Sequence, residues 1–506
     1  MLAFVWMWVS REPSDSIGVI MSLLSVLNRT NPTESSNMLS ERLVLVWLAI
    51  ISGALFWRFH GFGYDDPYIT YRYSLNIAQG WGFVYNHGER ILSTTTPLYA
   101  LLLVVVAWLG LDVPLISNAI SCLSLAYGGW VFWKLGQHWR IPLLGLAGAL
   151  LYPPLQLIFT TIGSEMAFYI ALILGGILAC VERRYLLMAV LLALATLTRA
   201  DAVLAVAVVA LYVLLCVRPL PWSAALLYCA ILLPWFTFAW LYFGAPFPVT
   251  LSAKQQQGLM EGSRTFGEGV LRLLRGYAIN PWYALHTALA LIGIGALVAR
   301  WRQALLVFGW TICYCMGYVL LGVSSYFWYY APLGAGLILL VGLGLAVLYS
   351  FVKRIAKPHI AQIAAAVVLL AMLAVEVRTF LTVPNTDSRQ QIYRNMGLWL
   401  HNNTPTDASV GALEIGIIGY YAERRMIDFA GLIQPDVAFQ LSKTTTYEDS
   451  ARWAIERFRP DYLILHDGIF PSIEQSALVQ SQCRPAANFD DAQVTYTMTI
   501  YSCRYE

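Results

Sequence analysis

Long apolar runs separated by short polar connections occupy most of this chain. Runs near 43–59, 115–134, 141–160, 166–181, 185–199, 200–217, 222–243, 282–299, 303–322, 327–350 and 360–381 approach or exceed the ~20 residues a helix needs to cross a bilayer. They predict eleven spanning helices. Pro97–Leu111 is also apolar but only about 15 residues long, short for a span, and reads as a re-entrant or interfacial helix. The alternative is that it spans and a later pair, such as 185–217, is miscounted. After about 383 the pattern becomes that of a soluble domain. Ser409–Leu413 and Asp461–Leu465 read as short buried strands, Glu448–Phe458 as a helix and Val494–Ser502 as an edge or hairpin strand, which together predict a small α/β domain. Residues 1–40 fit neither pattern. Met1–Val9 is too short to span and no clean cleavage site follows it, so 1–40 reads as a cytoplasmic leader, or as upstream sequence if Met21 or Met38 is the true start.

Composition agrees with a polytopic α-helical membrane protein. Of 506 residues, 58% are hydrophobic and 12% charged, where a soluble domain is nearer one quarter charged. The net charge of +3 says less than its placement, and no nucleic-acid partner is expected. Lys134 with Arg140, Arg183 with Arg184, Arg218, Arg300 with Arg302, and Lys353, Arg354 and Lys357 fall in alternate short loops. Basic loops stay on the cytoplasmic side. That puts the loop after the first span, and the domain from 383 to 506, outside. Six cysteines lie in or beside spans, and only Cys483 and Cys503 lie in the tail. An outside domain with two cysteines is expected to join them.

The chemistry concentrates after the first span, at Tyr64-Asp65-Asp66-Pro67-Tyr68. Ionisable residues at a membrane boundary are costly and mark functional sites. Asp66-Pro67 reads as a helix start, with Asp66 as N-cap and Pro67 as the first helical residue. Capping needs one carboxylate, so Asp65 is left for chemistry, as a base for a sugar hydroxyl.

These residues, with Arg72-Tyr73, Asn76, Gly80, Gly82, Tyr85-Asn86, Gly88-Glu89-Arg90 and Thr95-Thr96-Pro97-Leu98, resemble the first extracytoplasmic loop of GT-C glycosyltransferases. The resemblance is to the branch of protein mannosyltransferase-like, aminoarabinose transferase-like and terminal arabinofuranosyltransferase-like enzymes. It implies a GT-C-like membrane domain over 41–382, with a catalytic loop at 60–96 and an extracytoplasmic α/β domain over 383–506. It also implies an inverting transfer, at the outer face of the cytoplasmic membrane, from a polyprenyl-phosphate sugar to a hydroxyl of a glycan, lipid or protein acceptor. Asp65 maps onto the catalytic acid, and Asp66 and Glu165 are further catalytic candidates. Arg72, Arg199, Lys254, Tyr68 and Glu89 are candidates for donor phosphate or substrate binding. Some of these have a plainer reading. Glu165 suits the start of a helix, Arg199 can close a turn on Asp201, Lys254 can be a solvated interfacial lysine, and Tyr326–Tyr330 can be an aromatic belt. Glu414, in a Gly-containing stretch, either packs a strand–helix turn or faces the site. No His/Cys set has zinc spacing. A divalent ion on Asp65, Asp66 and Glu165 suits hard-cation chemistry; the resemblance does not favour one, and the metal is left open. A rival function is a transporter or flippase of a lipid-linked glycan; against it, the charges gather on one face and no inverted repeat is visible.

Overall fold

The computed structural model describes residues 34–297, 305–490 and 497–505. Most of the expected leader lies outside these residues; the first helix, Glu34–Phe59, starts inside its bounds. Each of the eleven expected spans contains an apolar helix among its described residues, but they differ in length. Ser40–Phe59, Val113–His138, Trp222–Phe243, Phe327–Ile355 and Pro358–Thr382 are long and apolar enough to cross a membrane. The other six are apolar helices of 10–17 residues, and so is Pro97–Trp108. At 12 residues, Pro97–Trp108 is about 18 Å long, against a hydrocarbon core of about 30 Å. The run expected at 141–160 is interrupted. Pro142–Leu151 stops before Pro153-Pro154, and a four-residue helix, Gln156–Phe159, follows. Two consecutive prolines remove two N–H donors and clash with the preceding turn, which an apolar run by itself does not reveal.

Small residues set the distance between neighbouring helices, as they do where apolar burial gives no drive inside a bilayer. A Cβ on Gly293, in Ala284–Leu297, would stand 2.0 Å from the Leu340 carbonyl oxygen, and one on Gly344, in Ala331–Ile355, would stand 2.0 Å from that of Leu289. The two helices therefore touch backbone to backbone, through a glycine on each.

Arg58 donates to the carbonyls of Leu381 and Val383 at 2.9 and 2.8 Å, so the first and last long helices finish at one end of the bundle. The C-terminal domain sits there. Its five-stranded sheet has the order β2-β1-β3-β5-β4, with β1 Ser409–Ala412, β2 Arg425–Asp428, β3 Tyr462–His466, β4 Cys483–Phe489 and β5 Met498–Cys503. Strands β2, β1 and β3 run parallel, and β5 is antiparallel to both β3 and β4. Cys483 and Cys503 are joined across β4 and β5, with Cα atoms 4.0 Å apart. The loop after the first span does not stand apart from this domain. Tyr68, Tyr71, Phe83 and Tyr85 share one buried apolar cluster with Met396, Ile417, Ile418, Met426 and Ile500.

Candidate active site

The loop opens with helix Asp65–Ala78. Its N-cap is Tyr64, in extended backbone and without a side-chain cap, so Asp66 is not the cap expected from Asp66-Pro67. The helix starts earlier because Pro67 fits anywhere in a first turn, where backbone N–H groups have no intrahelical partner. Both carboxylates therefore sit at the positive end of a helix, facing different ways. Asp65 turns to the C-terminal domain. Its Oδ2 accepts the Gly416 N–H and its Oδ1 the Ile417 N–H, both at 2.8 Å. A Cβ at Gly416 would lie 1.8 Å from the Asp65 carbonyl oxygen, so only glycine allows this approach. Burial, then the nearby Glu414, raise the Asp65 carboxyl well above the ordinary range, while the two N–H donors pull it back.

Asp66 faces the other way, with its side chain 30% exposed and Oδ2 3.5 Å from Lys254 Nζ. Lys254 is on helix Thr250–Leu259. That helix presses against the turn that ends helix Trp310–Leu321, where a Cβ on Gly258 would meet the Gly322 carbonyl oxygen at 2.3 Å. The Lys254 ammonium stands 3.8 Å from the centre of the Tyr326 ring, and its side chain is 4% exposed. Burial works to strip its proton; Asp66, with the phenols of Tyr326, Tyr329 and Tyr447, prevails and holds its pKa well above the usual lysine value. Lys254 is thus a fixed cation in an aromatic setting.

These groups line a cavity of about 360 Å³, within the range of small-molecule sites. One wall is Asp65, Asp66, Lys254 and the aromatic run Tyr326-Phe327-Trp328 at the head of a long apolar helix; the other is Asp387, Arg389, Glu414 and Tyr447 of the C-terminal segment. Arg389 bridges its neighbours, with Nη1 3.2 Å from Glu414 Oε1 and Nε 3.4 Å from Asp387 Oδ1. Tyr447 is placed by a capping box, in which Thr446 and Asp449 satisfy each other's backbone N–H at the start of Tyr447–Phe458.

The whole chain can be set against known proteins. It is similar to ArnT from Cupriavidus metallidurans in the apo state, with 13% identity over 90% of this chain and 97% of that one and a TM-score of 0.60. It is also similar to the same protein bound to undecaprenyl phosphate, with 14% identity, 90% and 98% coverage and a TM-score of 0.55. The oligosaccharyltransferase of Archaeoglobus fulgidus, in complex with Zn and sulfate, gives 13% identity, 90% and 72% coverage and a TM-score of 0.58. Both proteins are GT-C glycosyltransferases. The chain has the GT-C fold. Residues 380–501 also match a family described as "Domain of unknown function (DUF8728)". No curated protein matches the sequence.

In this chain, Asp65, Asp66 and Lys254 meet in the cavity, and the other expected site residues do not line it. Arg72 is buried, with Nε on the Tyr85 carbonyl at 3.0 Å, Nη2 on that of Arg424 at 2.6 Å and Nη1 on that of Gly419. It clamps loop to domain. Tyr68 packs against Tyr71, Tyr420 and Tyr421. Glu89 pairs with Arg425 at 2.8 Å. Glu165 and Arg199 pair at 2.7 Å, and Arg199 reaches Asp201 at 3.0 Å, so the expected turn pair is present and includes Glu165. Among the described residues, no group of three or more His, Cys, Asp or Glu side chains is placed to hold a metal ion. Near the acid pair, the nearest charge partner of Asp66 is the Lys254 ammonium.

Arg389, Asp387 and Tyr447 were not legible as site residues. Asp387-Ser388-Arg389 did carry a signal, a charge pair immediately after the last apolar helix. Tyr447 carried none, being the first residue of an ordinary amphipathic helix.

Proposed function

We propose that this GT-C chain is a membrane glycosyltransferase. It moves a sugar from a polyprenyl-phosphate donor to an acceptor hydroxyl at the extracytoplasmic face, with inversion. The observation that carries the reading is the cavity itself: two carboxylates, a caged ammonium and an aromatic wall, where the loop after the first long helix meets the C-terminal domain.

Each group has a task. The donor enters along the apolar helices, and its phosphate lies against Lys254, whose charge is held by its surroundings and needs no proton from solvent. Asp65 is the base. Burial raises its proton affinity and so strengthens it as a proton acceptor, and the N–H groups of Gly416 and Ile417 fix its direction. Each oxygen keeps a second lone pair for the incoming hydroxyl. The acceptor oxygen attacks the anomeric carbon, its proton passes to Asp65, and the bond from that carbon to the phosphate oxygen breaks. Polyprenyl phosphate leaves with the electron pair, and Lys254 stabilises the developing charge. Asp66 keeps Lys254 in place until the phosphate arrives.

Purified protein in lipid vesicles is given a panel of polyprenyl-phosphate pentoses and hexoses with a glycan, lipid and peptide extract, and free polyprenyl phosphate is measured. Release with at least one donor, dependent on acceptor, is expected. No release with any donor, from protein that keeps its fold, refutes the reading.

A further inference from the structure

The cavity has two walls of different origin, and a lipid-linked donor can use only one of them. Its phosphate must stay near the membrane helices, beside Lys254 and the aromatic run that heads Ala331–Ile355. The facing wall belongs wholly to the C-terminal segment and is left for the second substrate. We propose that this wall, built on Asp387, Arg389, Glu414 and Tyr447, is the acceptor subsite, and that it takes a hydroxyl-rich saccharide without an acidic group. The proposal rests on the glycosyltransferase reading and names its second substrate.

Three observations carry it. First, Arg389 is flanked by two carboxylates, at 3.2 and 3.4 Å. The line carboxylate–guanidinium–carboxylate offers both donors and acceptors at hydrogen-bond spacing, which suits neighbouring hydroxyl groups that each donate and accept. A site for an acidic acceptor would leave its arginine unopposed. Second, the cavity lining holds four carboxylates, Asp65, Asp66, Asp387 and Glu414, against two cations, Lys254 and Arg389. With a donor phosphate on Lys254, a second anion would enter an already negative cavity. Third, Tyr447 adds an aromatic surface with a polar tip on the same wall, fitted to the face of a sugar ring.

The test uses full-length protein in vesicles with whichever donor it turns over. Acceptors are the methyl glycosides of a panel of neutral sugars, each with its uronic-acid counterpart. Transfer to neutral glycosides is expected, with kcat/KM at least ~10-fold above the uronic-acid counterpart. Glu414→Gln and Arg389→Gln should each raise the acceptor KM by about 10-fold or more, the loss of a hydrogen bond to a charged group, with a smaller change in donor KM. Preference for uronic-acid glycosides, transfer to peptide alone, or donor hydrolysis with no neutral glycoside accepted would each overturn the proposal. So would variants that lower kcat at saturating acceptor without moving its KM. Absence of donor turnover in the unaltered protein would instead count against the glycosyltransferase reading.

Discussion

Asp65→Asn separates the two jobs that one side chain carries. The carboxylate accepts a backbone N–H on each oxygen, from Gly416 and Ile417. An asparagine keeps one acceptor and turns an NH2 toward the other donor, so one charge-assisted bond is lost and a donor faces a donor. Such a bond contributes about 1.5–3 kcal/mol. At about 1.4 kcal/mol per factor of ten, local opening at 416–417 should become roughly 10- to 150-fold more frequent. The rest of the contact should hold. Tyr85 donates to the Ile415 carbonyl at 2.6 Å, Asn86 exchanges two 2.9 Å bonds with the Met426 backbone, and Arg72 grips the Arg424 carbonyl. Hydrogen exchange should therefore quicken in peptides covering Gly416–Ala422 and stay unchanged in β2. Turnover should fall at least ~100-fold, the lower end for removing a general base. Turnover within ~10-fold of the unaltered protein, with exchange raised as expected, would remove Asp65 from the chemistry. Loss of protection across the whole sheet would show that the drop in turnover reports unfolding.

Further expectations follow from other parts of the structure. Lys254→Met should reduce polyprenyl phosphate release by about 100-fold, as for loss of an oxyanion partner; an unchanged initial rate would exclude phosphate contact. Because Asp65 must be ionised to act and its carboxyl is raised by burial and by Glu414, the acid limb of kcat/KM should lie above the ordinary Asp value of about 4. Glu414→Gln should move that limb to lower pH, and a limb at the ordinary value would contradict the assignment. Gly344→Val and Gly293→Val each force a side chain into the facing backbone and should cost about 1–3 kcal/mol or more, read as earlier thermal unfolding in detergent; unchanged melting would deny the close approach. Cys483→Ser opens a link across 20 residues and should destabilise the C-terminal domain by about 2–4 kcal/mol, seen as faster proteolysis of that domain; equal proteolysis would show that the link carries no stability.

Much of this was legible in the order of residues, for identifiable reasons. Apolar runs report burial in lipid directly, so each of the eleven expected spans contains an apolar helix, although run length did not reveal the break at Pro153-Pro154. Asp65, Asp66 and Lys254 were visible because charge is rare next to apolar helices. Arg72 and Glu89 were equally conspicuous, but their contacts join residues hundreds of positions apart: Arg72 meets the Gly419 and Arg424 carbonyls and Glu89 meets Arg425. No local pattern distinguishes a clamp from a ligand. β2 and β4 escaped notice for a different reason. Arg425–Asp428 is only four residues long, and Cys483–Phe489 is a largely exposed edge without alternation.

The bond from Asp65 to Gly416 spans 351 residues, and that separation orders events during synthesis. The loop leaves the ribosome early, while the segment that meets it follows after on the order of 20–70 s at ordinary elongation rates. Until then Asp65 lacks its backbone partners, Arg72 lacks two of its three carbonyls and one wall of the cavity does not exist. A nascent or truncated chain can therefore be inserted and helical while its cavity is still incomplete. Assembly of the last fifth of the polypeptide is the step that arms the site, so chains stopped before residue 416 should insert normally and stay inert.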